Sequence, residues 1–350
     1  MSDSGISKAL KLIFIVGVIA TAVIFNANKP RVMVLHSYHP DYPWTRDIDV
    51  GIRRISENWT GYALTWHYMD TKKHSDKDWL RYAGIGARRA IDRFEPDVLI
   101  VIDDLAQKLA AKHYVNDPNM QIVFAGVNGY AEPYGYDKAN NVTGIFERKP
   151  LKAVKEMILT LENSKSEPNP NPKIKYIMDP SPSIARDRQF IEAFDWAPIE
   201  YTGSVRAETF DEWKQHLNAL ADTDADYVLV ANYRKLATSK EDKKRPPPKE
   251  VMKWTIEHSP IPVIGVNVFN VEDGGAIAVG ASPFEQGETA ARMAETLIKH
   301  DRKGSSIPMI TNRQYVVAID QEALRKRRLE LPQIYETFAR TTSTYIEERP

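Results

Sequence analysis

The run DVLIVI at residues 97–102 consists of one aspartate followed by five apolar residues, with no polar residue alternating along it. A strand with one solvated face alternates apolar and polar residues, whereas a parallel strand covered by helices on both faces is apolar throughout. Pro96 ends the helical stretch 78–94 that precedes this run, since proline cannot continue a helix. The run therefore predicts a strand inside a parallel sheet, buried on both faces.

Similar apolar runs alternate with helical stretches on either side of residues 97–102, which is typical of parallel sheets with crossover helices. The first series predicts strands at 32–36, 63–69, 97–102, 121–125 and 141–146, with helices at 44–59, 78–94 and 105–114. The second predicts helices at 151–161, 184–194, 210–220, 249–258 and 284–299, with strands at 173–178, 200–205, 227–231, 263–266 and 276–279. A late strand pair within 307–319 and a short helix at 321–329 follow.

The two series predict an α/β fold of two doubly wound parallel-sheet lobes. Ligands of such sheets bind at the carboxyl ends of the strands. The cleft between the lobes is therefore the expected site.

The amino-acid composition excludes several classes of function. The 350 residues carry 47 Lys and Arg against 47 Asp and Glu, so the chain lacks the basic excess that a nucleic-acid partner requires. The absence of cysteine excludes disulfides, thiolate metal sites, a cysteine nucleophile and the lipid-modified cysteine of a lipoprotein. We expect no nucleic-acid partner, no metal and no cofactor.

The N-terminal segment 1–29 departs from the average composition. Lys8 and Lys11 precede the uncharged apolar run LIFIVGVIATAVIF at 12–25, which is short for a spanning helix and within the range of a signal-peptide core. Ala20-Thr21-Ala22 offers a small-residue cleavage site, yet the apolar run continues to Phe25, as in a retained anchor. Both readings stay open, and both place residues 30–350 on the periplasmic or extracytoplasmic side, with the N-terminus in or across the inner membrane.

Polar and aromatic side chains follow the predicted strands of the first lobe. The exit of the first strand reads HSYHPDYPWT at 36–45, a turn that can donate hydrogen bonds and stack on a small ligand. Asp103 and Asp104 follow the third strand, where a carboxylate can pair with a ligand ammonium or cap the next helix. The candidate ligand-binding residues of this lobe are Ser37, Tyr38, His39, Tyr42, Trp44, Asp103, Asp104, Asn128 and Phe146.

The strand exits of the second lobe carry a comparable set. Its candidate ligand-binding residues are Asp179, Ser181, Asn232, Tyr233 and Asn267. Asn and Gly at strand ends are also ordinary turn residues, so each of these positions has a purely structural alternative.

The segment Ser37-Tyr38-His39-Pro40 followed by Tyr42-Pro43-Trp44, with the two-lobe series, resembles a family of ABC-transporter substrate-binding proteins described as ABC-type uncharacterised. The resemblance covers about residues 30–332. It implies a type 1 periplasmic-binding fold with a three-segment hinge, lobe one at 30–146 plus 283–332 and lobe two at 147–282. The missing lipoprotein cysteine and a polar C-terminal tail at 333–350 depart from the family pattern.

These observations predict an extracytoplasmic solute-binding protein of an ABC-type importer that closes its lobes over a small polar or aromatic solute, such as an amino acid, and works with an ABC permease. The alternative is a membrane-anchored sensory module that signals through a partner protein. An enzyme is disfavoured because the sequence lacks the GxSxG, P-loop and HExxH motifs. Aromatic rings also stack on sugars, so the solute class stays open.

Overall fold

The computed structural model describes residues 3–27 and 29–347. Residues 1, 2 and 28 of the predicted N-terminal segment, and 348–350 of the predicted tail, lie outside the described residues. The chain divides into two compact units. Unit 1 comprises Met1–Phe146 and Pro283–Ile310, and unit 2 comprises Glu147–Ser282 and Thr311–Pro350.

The elements alternate between strand and helix through most of the chain, close to the predicted bounds. The strands are β1 (Arg31–His36), β2 (Ala63–Tyr68), β3 (Val98–Ile102), β4 (Gln121–Val127), β5 (Val142–Phe146), β6 (Lys173–Met178), β7 (Glu200–Arg206), β8 (Tyr227–Val230), β9 (Val263–Gly265), β10 (Ile277–Ala281), β11 (Ile310–Thr311), β12 (Tyr315–Asp320) and β13 (Tyr345–Ile346). The helices are α1 (Asp3–Ala27), α2 (Pro43–Ser56), α3 (Lys77–Phe94), α4 (Asp104–Leu109), α5 (Leu151–Asn163), α6 (Pro182–Ala193), α7 (Phe210–Asn218), α8 (Pro248–His258), α9 (Phe269–Glu272), α10 (Pro283–Lys299), α11 (Gln321–Lys326) and α12 (Gln333–Thr341).

The sheet of unit 1 has the strand order β2-β1-β3-β4-β5-β11. β1 pairs in parallel with β2 on one side and β3 on the other, so that Val34 lies opposite both Trp66 and Ile100. All five residues of β3 are buried, which confirms the buried strand predicted from DVLIVI. The order reverses direction beside β1, as in doubly wound sheets.

Helices cover both faces of this sheet. Val32 and Val34 pack on the face that carries α2 and α10, whereas Met33 and Leu35 pack on the face that carries α3 and α4. The contact between α2 and α10 is a close one, because a Cβ at Gly287 would lie 2.1 Å from the Ile48 carbonyl oxygen. A residue with a side chain at position 287 would therefore push the two helices apart.

The sheet of unit 2 has the order β7-β6-β8-β9-β10-β12-β13 and repeats the reversal, now beside β6. Helices α5, α6 and α12 contribute to the core on one face, and α7 and α8 to the core on the other. β12 pairs with β10 in the antiparallel direction, with Val279 opposite Val317. The sheet is therefore parallel apart from this one described pair.

The structure corrects the predicted end of lobe one. Residues 311–332 were expected with the first lobe, but β12 extends the sheet of unit 2 and brings this segment into that unit. The chain passes between the units at 146/147, 282/283 and 310/311. Because the chain starts in unit 1 and passes between the units three times, the segment from residue 311 onward belongs to unit 2. The polar tail, for which the sequence offered no role, forms α12 and β13, and β13 pairs with β12.

Helix α1 contains the predicted signal or anchor run 12–25, and the side chains of these residues are exposed. Within residues 3–27 and 29–347, no helix combines the length and the apolar character that crossing a membrane requires.

A buried carboxylate ties α2 to the first two strands of unit 1. Asp49 Oδ1 lies 2.9 Å from His36 Nε2 and accepts a hydrogen bond from Trp66 Nε1 at 2.9 Å, while its Oδ2 accepts one from Tyr68 Oη at 2.7 Å. The His36 and Tyr68 rings stack with centroids 5.2 Å apart. Burial raises the pKa of Asp49, but the hydrogen bonds from His36, Tyr68 and Trp66 outweigh it and hold that pKa below its usual value.

We expect Asp49→Ala to lower the free energy of unfolding by about 3 kcal/mol, because it leaves the buried His36 and the half-buried Trp66 and Tyr68 without their hydrogen-bond partner. The matched control is Asp47→Ala on the same helix, whose carboxylate pairs with the exposed Arg46 and should contribute less than about 1 kcal/mol. Denaturant unfolding of both variants measures the difference. Equal losses at the two positions would contradict a stabilising role for the Asp49 contacts.

Candidate functional site

The candidate site lies where the strand order reverses in each sheet. The helices that follow β1 and β3 leave on opposite faces, so an opening remains at the carboxyl ends of these two strands. We call the segments that follow them, residues 37–45 and 103–104, the unit 1 switch point. The corresponding segments after β6 and β8, residues 179–181 and 232–235, are the unit 2 switch point.

Asp103 has an unusual backbone conformation. Its φ of 66° and ψ of 159° lie in a region that is populated almost only by glycine, and such a residue costs of order 1–3 kcal/mol in strain. The residue is 4% exposed, and its Oδ1 accepts a hydrogen bond from Trp44 Nε1 at 2.9 Å. Glycine would be the relaxed choice at this φ and ψ, whereas the aspartate at 103 supplies an acceptor for the Trp44 indole.

Gly126 on the neighbouring strand β4 leaves space for the Asp103 carboxylate. A Cβ at Gly126 would lie 2.8 Å from Asp103 Oδ1, and Gly126 itself has a φ of 67°. The Gly126 amide donates to Gln286 Oε1 at 2.8 Å, and the Gln286 amide donates to the Phe146 carbonyl at 3.4 Å. Position 126 is therefore restricted to glycine by both its conformation and the Asp103 side chain.

Ser37 takes over the capping role that the sequence had left open for Asp103. Its hydroxyl accepts a hydrogen bond from the Ala106 amide in the first turn of α4 at 2.8 Å and donates to the Ile102 carbonyl at 2.9 Å. Asp103 stands at the N-cap position of α4, but its side chain makes no capping hydrogen bond. Ser37 is fully buried, so its contribution is to hold the switch point together.

Asp104 belongs to a second set of contacts at the same edge. Its Oδ1 accepts a hydrogen bond from Tyr134 Oη at 2.5 Å, and its Oδ2 accepts one from the Asn128 amide at 3.3 Å. These bonds connect the exits of β3 and β4. Phe146, at the end of β5, is partly buried against Phe124, with ring centroids 4.7 Å apart.

The loop after β1 is also aromatic. The Tyr38 and Tyr42 rings meet edge to face at 5.4 Å, and the Lys72 ammonium lies 4.8 Å from the centroid of each. His39 Nδ1 lies 3.4 Å from Asp70 Oδ1, and burial, followed by the charge of Lys73, lowers the pKa of His39. Across the described part of the chain, no three His, Asp or Glu residues are arranged to hold a metal ion.

The unit 2 switch point is a connected set of polar turns. Asp179 Oδ1 accepts a hydrogen bond from the Ser181 amide at 2.9 Å, and its Oδ2 accepts one from the Lys235 amide at 2.8 Å. The Asn232 side-chain amide donates to Ser181 Oγ at 2.9 Å, and the Asn232 Oδ1 accepts from the amides of Tyr233 and Arg234. The side chains of Asp179, Ser181 and Asn232 thus shape the turns in which they lie, which is the structural role that the sequence left open for them.

Arg234 follows Asn232 and Tyr233 along the chain. Arg234 donates from Nε and Nη2 to Asp273 Oδ2 at 3.1 and 2.8 Å, and its guanidinium carbon lies 4.1 Å from the centroid of the Phe269 ring. Tyr233 is 1% exposed, and its hydroxyl donates to the same Asp273 oxygen at 2.6 Å. Burial, together with the negative charge of Asp273, raises the pKa of Tyr233 well above its usual value.

Asn267, predicted as a ligand-binding residue at a strand exit, contacts a buried ammonium. Its Oδ1 accepts a hydrogen bond from Lys149 Nζ at 2.6 Å, and the same ammonium lies 3.4 Å from Glu147 Oε1 and 3.6 Å from Asp187 Oδ2. Burial alone would lower the pKa of Lys149, but Asp187 and Glu147 raise it above its usual value. This cluster fixes the segment after the 146/147 passage to the edge of the unit 2 sheet.

The structure brings the predicted residues together in separate groups. In unit 1, Ser37, Trp44 and Asp103 form one group and Asp104 with Asn128 another; in unit 2, Asp179, Ser181 and Asn232 form a third. Sequence reasoning missed five residues that contact these groups or lie beside them: Lys72, Tyr134, Lys149, Arg234 and Gln286. Of these, Arg234 directly follows a predicted strand exit, so its position along the chain was a usable signal.

Comparisons with known proteins bear on the fold. Neither a family model nor a curated protein matches the chain. A ligand-free, open substrate-binding protein with adhesive properties from Clostridium difficile matches with a TM-score of 0.66 at 15% identity, over 91% of this chain and 100% of that chain. An ABC domain in complex with L-Trp from Streptococcus pneumoniae matches with 0.60 at 14%, over 91% and 100%. A periplasmic ribose ABC transporter protein from Conexibacter woesei matches with 0.54 at 14%, over 90% and 95%.

The chain therefore has the type 1 periplasmic-binding-protein fold, with two α/β lobes built on parallel-dominated sheets. The predicted resemblance to ABC-type substrate-binding proteins is confirmed at the level of the fold. The proteins named above are described as binding or transport proteins.

Strain at Asp103 can be measured with two variants that both remove the carboxylate. We expect Asp103→Gly to be more stable than Asp103→Ala by about 1–2 kcal/mol, because only glycine relaxes the backbone at this φ and ψ. In ordinary positions the order is the reverse, since glycine costs more chain entropy than alanine. Thermal and denaturant unfolding give the ranking, and an alanine variant as stable as the glycine variant would show that position 103 is not strained.

Proposed function

We propose that this protein is an extracytoplasmic solute-binding protein that delivers a small solute to an ABC-type importer. One observation carries the proposal: a strained, buried Asp103, held by Trp44, stands at the carboxyl end of β3 where the strand order reverses. Backbone strain of this kind is retained where a side chain is needed for binding or catalysis. The switch point of a doubly wound sheet is where ligands of such sheets bind.

The solute we propose carries a cationic nitrogen and an apolar or aromatic body. Asp103 and Asp104 supply two carboxylates at this edge, and an ammonium is the group that a carboxylate in a partly dry site binds best. Trp44, Tyr38 and Tyr42 supply ring surface for stacking or cation–π contact. An amino acid or another small amine fits this chemistry.

A membrane-tethered sensory module is the second candidate function, and the exposed apolar run 12–25 is the feature that favours it. The two functions share the binding site and differ in the fate of this segment. An export signal is removed, whereas a tether stays on the mature chain. In neither case do we propose a chemical reaction, because the edge residues described above act by hydrogen bonding, charge and stacking.

A thermal-shift screen of residues 30–350 against amino acids, nucleosides, sugars and small amines tests the binding function. We expect a rise in the unfolding temperature with amines or amino acids, since a ligand that binds only the folded state stabilises it. Asp104→Asn and Trp44→Phe should each weaken the best ligand by about 10-fold or more, through loss of a charged or hydrogen-bonding group. Glu57→Gln is the matched control, because it changes an exposed carboxylate at the far end of α2.

Two results would count against this assignment. If no solute class raises the unfolding temperature, solute binding is wrong. If solutes bind but Asp104→Asn and Trp44→Phe behave like Glu57→Gln, the unit 1 switch point is not the site.

Mass spectrometry of the mature N-terminus separates the two candidate functions. For an exported transport protein we expect a chain that begins near residue 23, after the small residues Ala20-Thr21-Ala22. An intact segment 12–25 in the membrane fraction would favour the tethered sensor. Replacing Ala20 and Ala22 with larger residues provides the control, since it should block cleavage without affecting a tether.

A further inference from the structure

The outer side of α3 is rich in positive charge. Helix α3 and the segment 105–114 beside it contain seven Lys and Arg against two Asp, whereas the whole chain has equal numbers of the two kinds. In the part of the chain that the structure describes, none of these seven cations forms an ion pair with a carboxylate. They are Lys77, Arg81, Arg88, Arg89, Arg93, Lys108 and Lys112.

The spacing of these cations works against the helix. Lys77 and Arg81, and again Arg89 and Arg93, stand four residues apart, so like charges lie on neighbouring turns and destabilise α3. Other helices of the chain use stabilising pairs of opposite charge at this spacing. These pairs are Arg188 with Glu192, Lys253 with Glu257, Glu295 with Lys299, Glu322 with Lys326, and Glu336 with Arg340. Helix stability therefore gives no reason for the charges on α3.

An aromatic ring shares the solvent side of α3 with two of the arginines. Tyr82, Arg89 and Arg93 follow one another at seven and four residues, which brings them to one side of a helix with 3.6 residues per turn. All three are exposed, whereas Ile91 on the opposite side is buried. The Tyr82 residue is 60% exposed, and the Arg81 guanidinium carbon lies 4.5 Å from the centroid of its ring.

The cations of α3 and of the segment 105–114 act on the same space. His113 follows α4 along the chain, and Arg88 of α3 donates from Nη1 to the Leu109 carbonyl at 2.5 Å. Burial, followed by the charges of Arg88 and Lys112, lowers the pKa of His113. The two elements therefore form one positively charged surface, which we call the α3 face.

The N-terminal segment joins unit 1 next to the end of α3. The guanidinium carbon of Arg31, the first residue of β1, lies 4.7 Å from the ring centroid of Phe94, the last residue of α3. Helix α1 ends at Ala27, four residues before Arg31, and four residues of chain span at most about 14 Å. The exposed apolar run 12–25 is therefore tied close to the α3 face.

We propose that the α3 face binds the surface of a bilayer that contains anionic phospholipids. Lys and Arg attract anionic headgroups, and a tyrosine ring favours the boundary between headgroups and hydrocarbon. An acidic protein could also neutralise the cations, but it gives no reason for the apolar run that adjoins them. This inference goes beyond the proposed function and does not depend on it, because the α3 face lies outside the switch points.

Co-sedimentation of the full chain with lipid vesicles tests the inference. The probes are vesicles of phosphatidylcholine alone and vesicles that contain about one third phosphatidylglycerol, because α1 can bind to both and only the second kind attracts cations. We expect the wild type to bind the anionic vesicles about 10- to 100-fold more tightly at low ionic strength. The preference should be lost in about 1 M salt, where the Debye length falls to about 3 Å.

The double variant Arg89→Gln with Arg93→Gln should reduce the preference for anionic vesicles by about 10- to 30-fold and leave binding to neutral vesicles unchanged. Arg89→Lys with Arg93→Lys should keep the preference, because a lipid surface responds to charge and does not require the guanidinium fork. Thermal unfolding checks the fold of both. Removal of a like-charge pair from an exposed helix side should leave the unfolding temperature unchanged or raise it.

Lys253→Gln with Lys326→Gln is the matched control. It removes the same charge from the chain, but both lysines are in unit 2 and each has a glutamate nearby. Lys253 Nζ lies 3.9 Å from Glu257 Oε1, and Lys326 Nζ lies 2.6 Å from Glu322 Oε1. This variant should keep the full preference for anionic vesicles.

Two outcomes would overturn the inference. Equal binding of the wild type to both kinds of vesicle would show that the α3 face does not bind lipid, and an acidic protein would be the next occupant to test. An equal loss of preference in the control and in Arg89→Gln with Arg93→Gln would show that net charge, not this face, draws the protein to the bilayer. Either result leaves the proposed function standing, because the thermal-shift screen against solutes measures that function separately.

Discussion

The reversal of strand order is the constraint on which the rest of the structure depends. Because β1 and β3 send their helices to opposite faces, the polar groups at their carboxyl ends cannot be covered by a helix. They must be satisfied by loop side chains, and Ser37 does this by bonding to Ile102 and Ala106. β6 and β8 meet the same constraint through Asp179, Ser181 and Asn232. Each unit thus needs a polar edge for folding, and this is the edge at which doubly wound sheets in general bind their ligands.

Asp103 differs from the other polar residues at these edges in what its side chain does for the fold. Ser37 and Asn232 use their side chains to complete turns or helix ends, so folding explains them. Asp103 is different, because its conformation opposes folding and its carboxylate leaves the cap of α4 to Ser37. Gly126 is glycine in part to make room for it. Strained residues of this kind cluster at binding and catalytic sites, which is why the proposed function is built on Asp103.

The alternation of strands and helices could be predicted from the sequence, because a strand that is buried on both faces is a continuous apolar run. β3 and β8 are such runs, and their bounds differ from the predicted ones by one residue. The sequence did not reveal that residues 311–332 belong to unit 2. An apolar strand such as β12 has the same sequence pattern whether it joins a sheet in the parallel or in the antiparallel direction. The candidate site was only partly predictable: strand exits are visible along the chain, but which side chains complete a turn depends on partners distant in sequence. Lys149 with Asn267 and Trp44 with Asp103 are such pairs.

The chemistry of the two edges differs even though their topology is the same. Unit 1 places carboxylates beside aromatic rings, and the Trp44 indole donates to one of them. Unit 2 places a guanidinium over a ring, anchored by a carboxylate that is less exposed than the cation. A zero net charge over the whole chain is compatible with local charges of opposite sign at these edges. The two sheets thus share a topology, while different charged groups follow their strands.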